Sequence, residues 1–329
     1  MTRFSVLDLS PIVEGGSPAQ ALHNSLDLAR HAEALGYHRY WVAEHHNMRG
    51  IASAATAVVI GHIAQGTSNI RVGAGGIMLP NHAPLMVAEQ FGTLEALYPG
   101  RIDLGLGRAP GTDGVTAHAL RRTLQSDPNQ FPQDVLELRQ FLAAPQEGQK
   151  VCAVPGMGTR VPLYILGSSL FGAQLAAILG LPFAFASHFA PQALHQAIEI
   201  YRKEFTPSEI LDEPYLMLGY NVIAADSDDQ AMFLRSSGVQ AFLNLRYGNP
   251  GPLPPPTEDL EGKLNAEQRS VLSQMSHCAA VGAPSTIRRE VEQFLAETGA
   301  DELIITAQIF DHEARKRSYS LAQQALCGL

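Results

Sequence analysis

The chain has 329 residues, 46% hydrophobic and 17% charged, with a formal net charge of −9. This composition suits a soluble globular protein with a large core. The acidic balance speaks against a nucleic-acid partner, because no Lys/Arg run exceeds Arg315-Lys316-Arg317. Cys152, Cys278 and Cys327 stand far apart with no CxxC pair, so neither a zinc site nor a disulfide framework is indicated. No apolar run is long enough to span a bilayer, and a strand pattern begins directly after Met1-Thr2-Arg3. The expected location is the cytoplasm, without membrane contact.

Strand patterns are expected at 4–10, 39–45, 70–79, 101–107, 162–167, 182–187, 215–224 and 302–308. They are short and rich in Val, Ile, Leu and aromatics, as buried parallel strands are. Helical patterns lie between them. The first opens at Ser17-Pro18-Ala19-Gln20, an N-cap with proline at the first helical position and a capping-box glutamine, and ends at Gly36. Others are expected over 52–65, 84–97, 169–179, 191–204, 284–298 and 313–327. Two stretches break the alternation: a long loop at 109–133 after the fourth strand, and a proline-rich insertion at 247–262 in the C-terminal half. The latter is either a lid or a surface excursion.

Eight strands alternating with helices predict a (β/α)8 TIM barrel with those insertions, forming a single domain over 1–329. An open doubly wound sheet is the other arrangement of this class. In a barrel, the functional site lies at the C-terminal strand ends.

Four stretches carry candidate chemistry. Arg101-Ile102-Asp103-Leu104-Gly105-Leu106-Gly107-Arg108 runs a strand into a glycine-rich turn bearing one cation. A guanidinium on such an open backbone suits a phosphate. At Leu166-Gly167-Ser168-Ser169, followed by Leu170-Phe171-Gly172, a strand end meets a helix start, where free N–H groups bind anions; a plain serine N-cap is the alternative. Gly75-Gly76 lies inside the third strand, where backbone or ligand comes close, or where the strand bulges. In Ala43-Glu44-His45-His46, alternation puts Glu44 and His46 on one face and His45 on the other. His45 is thus a candidate acid/base or hydrogen-bond donor, or a structural histidine. The spacing is not that of an HExxH site, and no metal is expected. A dinucleotide fingerprint fails too: Gly105-x-Gly107 lacks its third glycine, and Pro110 falls where the helix would start.

These pieces, with Val72 to Pro80 and Val281-Gly282-Ala283-Pro284, occur in order over residues 4–325 and together resemble the bacterial luciferase-like flavin monooxygenase family, closest to its non-luminescent, single-subunit members. The resemblance implies FMN held in a (β/α)8 barrel, as bound flavin or as reduced co-substrate. Arg108 and the turn of Gly167, Ser168, Phe171 and Gly172 would hold the phosphate. Gly75-Gly76 would match a non-proline cis peptide behind the flavin ring. His45 would face the reactive side, and His188 would line the substrate pocket where an aromatic residue often stands. The implied activity is an FMN-dependent monooxygenase acting on paired donors, with incorporation of molecular oxygen into an organic substrate. Its partners would be a small-molecule substrate, O2 and a separate flavin reductase, and its assembly a homodimer. A deazaflavin (F420)-dependent hydride-transfer oxidoreductase and a non-catalytic flavin-binding protein are the alternatives. Gly107 stands where luciferases carry a reactive cysteine, which counts against light emission.

Overall fold

The computed structural model describes residues 2–109, 114–120, 128–258 and 260–329. In chain order the elements are β1 (Arg3–Asp8), α1 (Pro18–Ala34), β2 (Arg39–Val42), α2 (Thr56–Gln65), β3 (Arg71–Met78), α3 (Pro84–Leu97), β4 (Ile102–Gly107) and α4 (Gly114–Leu120). Then follow α5 (Phe131–Leu142), β5 (Leu163–Gly167), α6 (Leu170–Leu179), β6 (Phe183–Phe185), α7 (Leu194–Glu204), β7 (Leu216–Ala224) and α8 (Asp228–Arg246). The chain ends with α9 (Leu260–Lys263), α10 (Ala266–Met275), β8 (Ala279–Gly282), α11 (Pro284–Thr298), β9 (Glu302–Thr306) and α12 (His312–Leu326).

The strands β1 to β7 pair in parallel in sequence order, and β9 pairs with both β7 and β1. This closes the eight-stranded barrel expected from the sequence. β8 is an addition. It takes over from β9 along the upper part of β7, pairing Asn221 to Ala224 with Ala279 to Gly282.

Side-chain alternation sorts the strands into two cores. Phe4 and Val6 face the helices, where most of the buried apolar residues lie. Leu7, Trp41, Tyr164, Met217 and Ile304 face inward as a separate cluster. Beneath them the barrel's lower end is polar and closed. Arg39 reaches Asp103 at 2.6 Å, Glu302 at 2.8 Å and the Tyr164 hydroxyl at 3.0 Å, and Tyr215 donates to Glu302 at 2.6 Å. Buried charges need this mutual pairing to offset lost hydration.

Several local expectations change. Ser17 Oγ accepts from the Gln20 N–H at 3.2 Å, but the Gln20 side chain donates to Asn24 instead of closing a capping box. The stretch 109–133 is not one loop: α4 lies within it and α5 begins at Phe131, burying Phe131, Val135, Leu138 and Leu142 at helical spacing. Residues 110–113 and 121–127 of that expectation lie outside the described residues. α8, α10 and β8 have no counterpart in the sequence reading. The proline-rich stretch is tied down: the Leu253 N–H donates to the Ile12 oxygen at 2.8 Å, and the Glu14 N–H donates to the Leu253 oxygen at 2.9 Å. Residue 259 of that stretch is outside the described residues.

Candidate active site

The upper barrel is hollow because inward-facing strand positions carry glycine. Gly75 on β3 and Gly107 on β4 line it and supply no side chains where other barrels have packed layers. The resulting cavity of about 550 Å³ opens among the C-terminal strand ends, a size suited to a cofactor or drug-sized ligand. Every sequence-predicted site residue except Gly76 lines it: His45, Gly75, Arg108, Gly167, Ser168, Phe171, Gly172 and His188. Gly76 is joined to Gly75 by a cis peptide, and the β3–β4 register shifts there between Ala74 and Ile77. The register shift and the cis bond therefore fall at the same place on β3. A Cβ on Gly76 would meet the Gly105 oxygen at 2.7 Å, so this stretch of β3 lies directly on β4.

One wall is cationic. The Arg108 guanidinium lies over the Phe171 ring, 4.3 Å from its centroid, which joins the end of β4 to the first turn of α6. Ser169 occupies the N-cap of α6 in extended conformation, yet its side chain makes no capping hydrogen bond. The plain serine cap is therefore not what the turn forms. Gly167 and Gly172 pack closely, a Cβ on Gly167 standing 3.3 Å from the Gly172 Cα. The wall offers an arginine, two serine hydroxyls and a helix start, a donor set matched to a phosphate monoester.

The end of β2 behaves as alternation requires. His45 faces the cavity, while Glu44 and His46 face away and bond each other at 2.7 Å. Glu44 also accepts from His82 Nε2 at 2.9 Å, Asn81 Nδ2 at 3.2 Å and the Met78 N–H at 2.9 Å. Burial alone would raise its carboxyl, but the bonds from His82, His46 and Met78 hold it below the ordinary range. Sequence reasoning did not find His82 and Asn81; they lie on the segment after β3, beyond any local spacing signal.

His45 and His188 share an electrostatic environment. Burial lowers the His45 imidazole from its ordinary value. Burial, with His45 nearby, lowers His188 to about 4. Both rings are thus uncharged near neutrality, and both Nδ1 atoms are enclosed without a hydrogen-bond partner among the described residues. Thr306 Oγ1, on β9, is in the same condition and also belongs to a cavity-lining residue. The roof is largely apolar: Met48 and Ile51, Val239, Phe242 and Leu245 of α8, and Leu253 of the proline-rich stretch. That stretch therefore forms part of the cavity wall.

The family model for luciferase-like monooxygenases matches residues 2–302. The chain belongs to that family. A luciferase-like monooxygenase of Escherichia coli (strain K12) is 54% identical over 319 residues, covering 97% of this chain and 95% of the relative. The crystal structure of apo-MsnO8 superposes with a TM-score of 0.88 at 35% identity, covering 99% of this chain and 98% of the other. Two more distant structures share the fold. One is the oxygenating constituent of 3,6-diketocamphane monooxygenase from Pseudomonas putida in complex with FMN, with a TM-score of 0.73 at 16% identity and coverage of 99% and 98%. The other is an F420-dependent secondary alcohol dehydrogenase, with a TM-score of 0.69 at 17% identity and coverage of 99% of both chains. Among the described residues, no helix is long and apolar enough to cross a membrane.

Proposed function

We propose that this chain is an FMN-dependent monooxygenase that uses reduced flavin and O2 on a small organic substrate. The observation that carries the reading is the phosphate-matched wall of Arg108, Phe171, Ser168 and Gly172 beside a glycine-walled cavity. Bound reduced FMN would supply the activation of O2. Arg108 pairs with the phosphate, and its stacking on Phe171 presets the guanidinium before the ligand arrives. The side-chain-free surface at Gly75 gives a flat ring room to lie against β3. Uncharged His45 offers a hydrogen bond or a proton at the reacting atoms without placing a fixed charge beside them. The apolar roof keeps water from those atoms.

The same reading carries an expected homodimer in the cytoplasm and a separate flavin reductase, since the sequence has no nicotinamide fingerprint. FMN and riboflavin titrations, followed by turnover under 18O2 with chemically reduced FMN, test it. FMN binding tighter than riboflavin, and heavy oxygen in a product, are expected. Binding of F420 in preference to FMN, with hydride transfer and no oxygen incorporation, would replace the reading with the deazaflavin alternative. Tight FMN binding without turnover of any offered substrate would leave a flavin-binding protein.

A further inference from the structure

His188 stands three residues beyond the end of β6, and its surroundings fasten it to β7. Asn221 Nδ2 donates to the His188 carbonyl oxygen at 2.9 Å, and the preceding Ser187 Oγ donates to the Gly219 carbonyl at 2.7 Å. The imidazole is thereby laid onto Gly219. A Cβ at that position would stand 2.0 Å from His188 Nδ1, so only glycine leaves room for the ring. Nδ1 is enclosed there without a hydrogen-bond partner among the described residues. Orphaned buried N–H groups are rarer than under-satisfied acceptors, and a lone pair can rest against a Cα–H. The ring proton accordingly belongs on Nε2, which is not among the enclosed, unpartnered atoms of this cavity-lining residue. Burial and the neighbouring His45 keep this imidazole uncharged.

We propose that His188 is a specificity-determining donor: an imidazole, fixed as the Nε2–H tautomer by Gly219, that selects substrates presenting an uncharged oxygen acceptor such as a ketone or amide carbonyl. The inference rests on the reading of the cavity as a substrate site. An uncharged donor rewards a carbonyl without the Coulomb attraction that would favour a carboxylate. The apolar roof of Val239, Phe242 and Leu253 suits the hydrocarbon remainder of such a molecule.

Nitrogen-15 NMR of histidine-labelled, ligand-free protein tests the tautomer. The Nε2–H form is expected to persist from near-neutral pH well into the acid range. An Nδ1–H tautomer, or protonation near the ordinary imidazole value, overturns the proposal. Calorimetry with three probes, cyclohexanone, cyclohexane and cyclohexanecarboxylate, tests selection. His188→Phe is expected to lose about three- to tenfold of the cyclohexanone affinity, the range of one neutral hydrogen bond. His188→Gln is expected to retain most of it, with cyclohexane unaffected in both variants. No ketone preference in the wild-type protein, or equal losses for ketone and hydrocarbon, overturns the proposal. Preference for the carboxylate overturns it in favour of a charged recognition group, one of the cavity-lining cations Arg108 and Arg235. These readouts need no flavin, so failure to bind FMN would sink the oxygenase reading separately.

Discussion

The Glu44 carboxylate accepts the Met78 N–H at 2.9 Å, while the Glu44 backbone N–H donates to the Gly76 oxygen at 3.1 Å. One residue of the β2 end therefore holds the last turn of β3 on both sides of Ile77. Its outer flank is held in turn by His46 and His82. Glu44→Gln removes the charge from these bonds and is expected to cost about 2 kcal/mol in chemical denaturation. The pH dependence has a definite sign. The folded carboxyl is depressed below its ordinary value of 4.5, so its contribution is full above that pH and fades as pH falls through the folded value. The stability gap between wild type and variant should be level above pH 4.5 and close below it. A gap that instead widens in acid would show that Glu44 is not held ionised.

Arg108→Ala is expected to weaken FMN binding by about 1.5–3 kcal/mol, the range of a hydrogen bond to a charged group, while riboflavin loses far less. Comparing the two titrations isolates the phosphate. Equal losses for both ligands would remove Arg108 from the phosphate site and leave it a packing partner of Phe171.

His45→Ala should retain flavin affinity and lose turnover by about 10²–10⁴-fold, the usual contribution of a positioned acid or base. Burial lowers this imidazole from 6.5, so its neutral form persists below that pH. The wild-type rate should therefore stay flat through 6.5 with respect to this group. A His45-dependent inflection above 6.5 would contradict the buried, uncharged state.

The inward glycines of β4 are not equivalent. A Cβ on Gly105 would meet the Ala74 backbone oxygen at 2.4 Å, whereas one on Gly107 would meet the Met78 thioether at 2.7 Å. Backbone cannot yield, but a methionine end can rotate. Gly105→Ala is expected to cost about 2–3 kcal/mol and Gly107→Ala under about 1 kcal/mol in denaturant titrations. A Gly107 variant as damaging as the Gly105 one would show that Met78 is immobile.

Much of the fold was legible because parallel strands buried on both faces advertise themselves as short apolar runs. The site's outline was legible for a different reason. Arg108 and Ser168 follow strand ends, where a barrel gathers its loops, while Gly75, inside β3, joins them only through the family resemblance. α5 was missed although Phe131, Val135, Leu138 and Leu142 carry its period, because Pro132 and the polar approach read as loop. α8 was missed although Ser227 caps it and Asp228 and Asp229 follow, since its apolar face is narrow. The Glu44–His82 bond and the contact of His188 with Gly219 join residues 38 and 31 positions apart. Only the closed barrel brings such partners together, so no local pattern could announce them.

Arg39, with its partners Asp103 and Glu302, has a further consequence beyond stability. It seals one end of the barrel, so the cavity is a cup with its entrance on the loop side. Molecules that share a cup must queue. Whatever rests deepest against β3 and β4 has to enter before the roof side fills and can leave only after it empties. On the proposed reading, the order of arrival and departure would then follow from the closed floor, where Leu7, Trp41, Tyr164, Met217 and Ile304 pack above the Arg39 ion pairs.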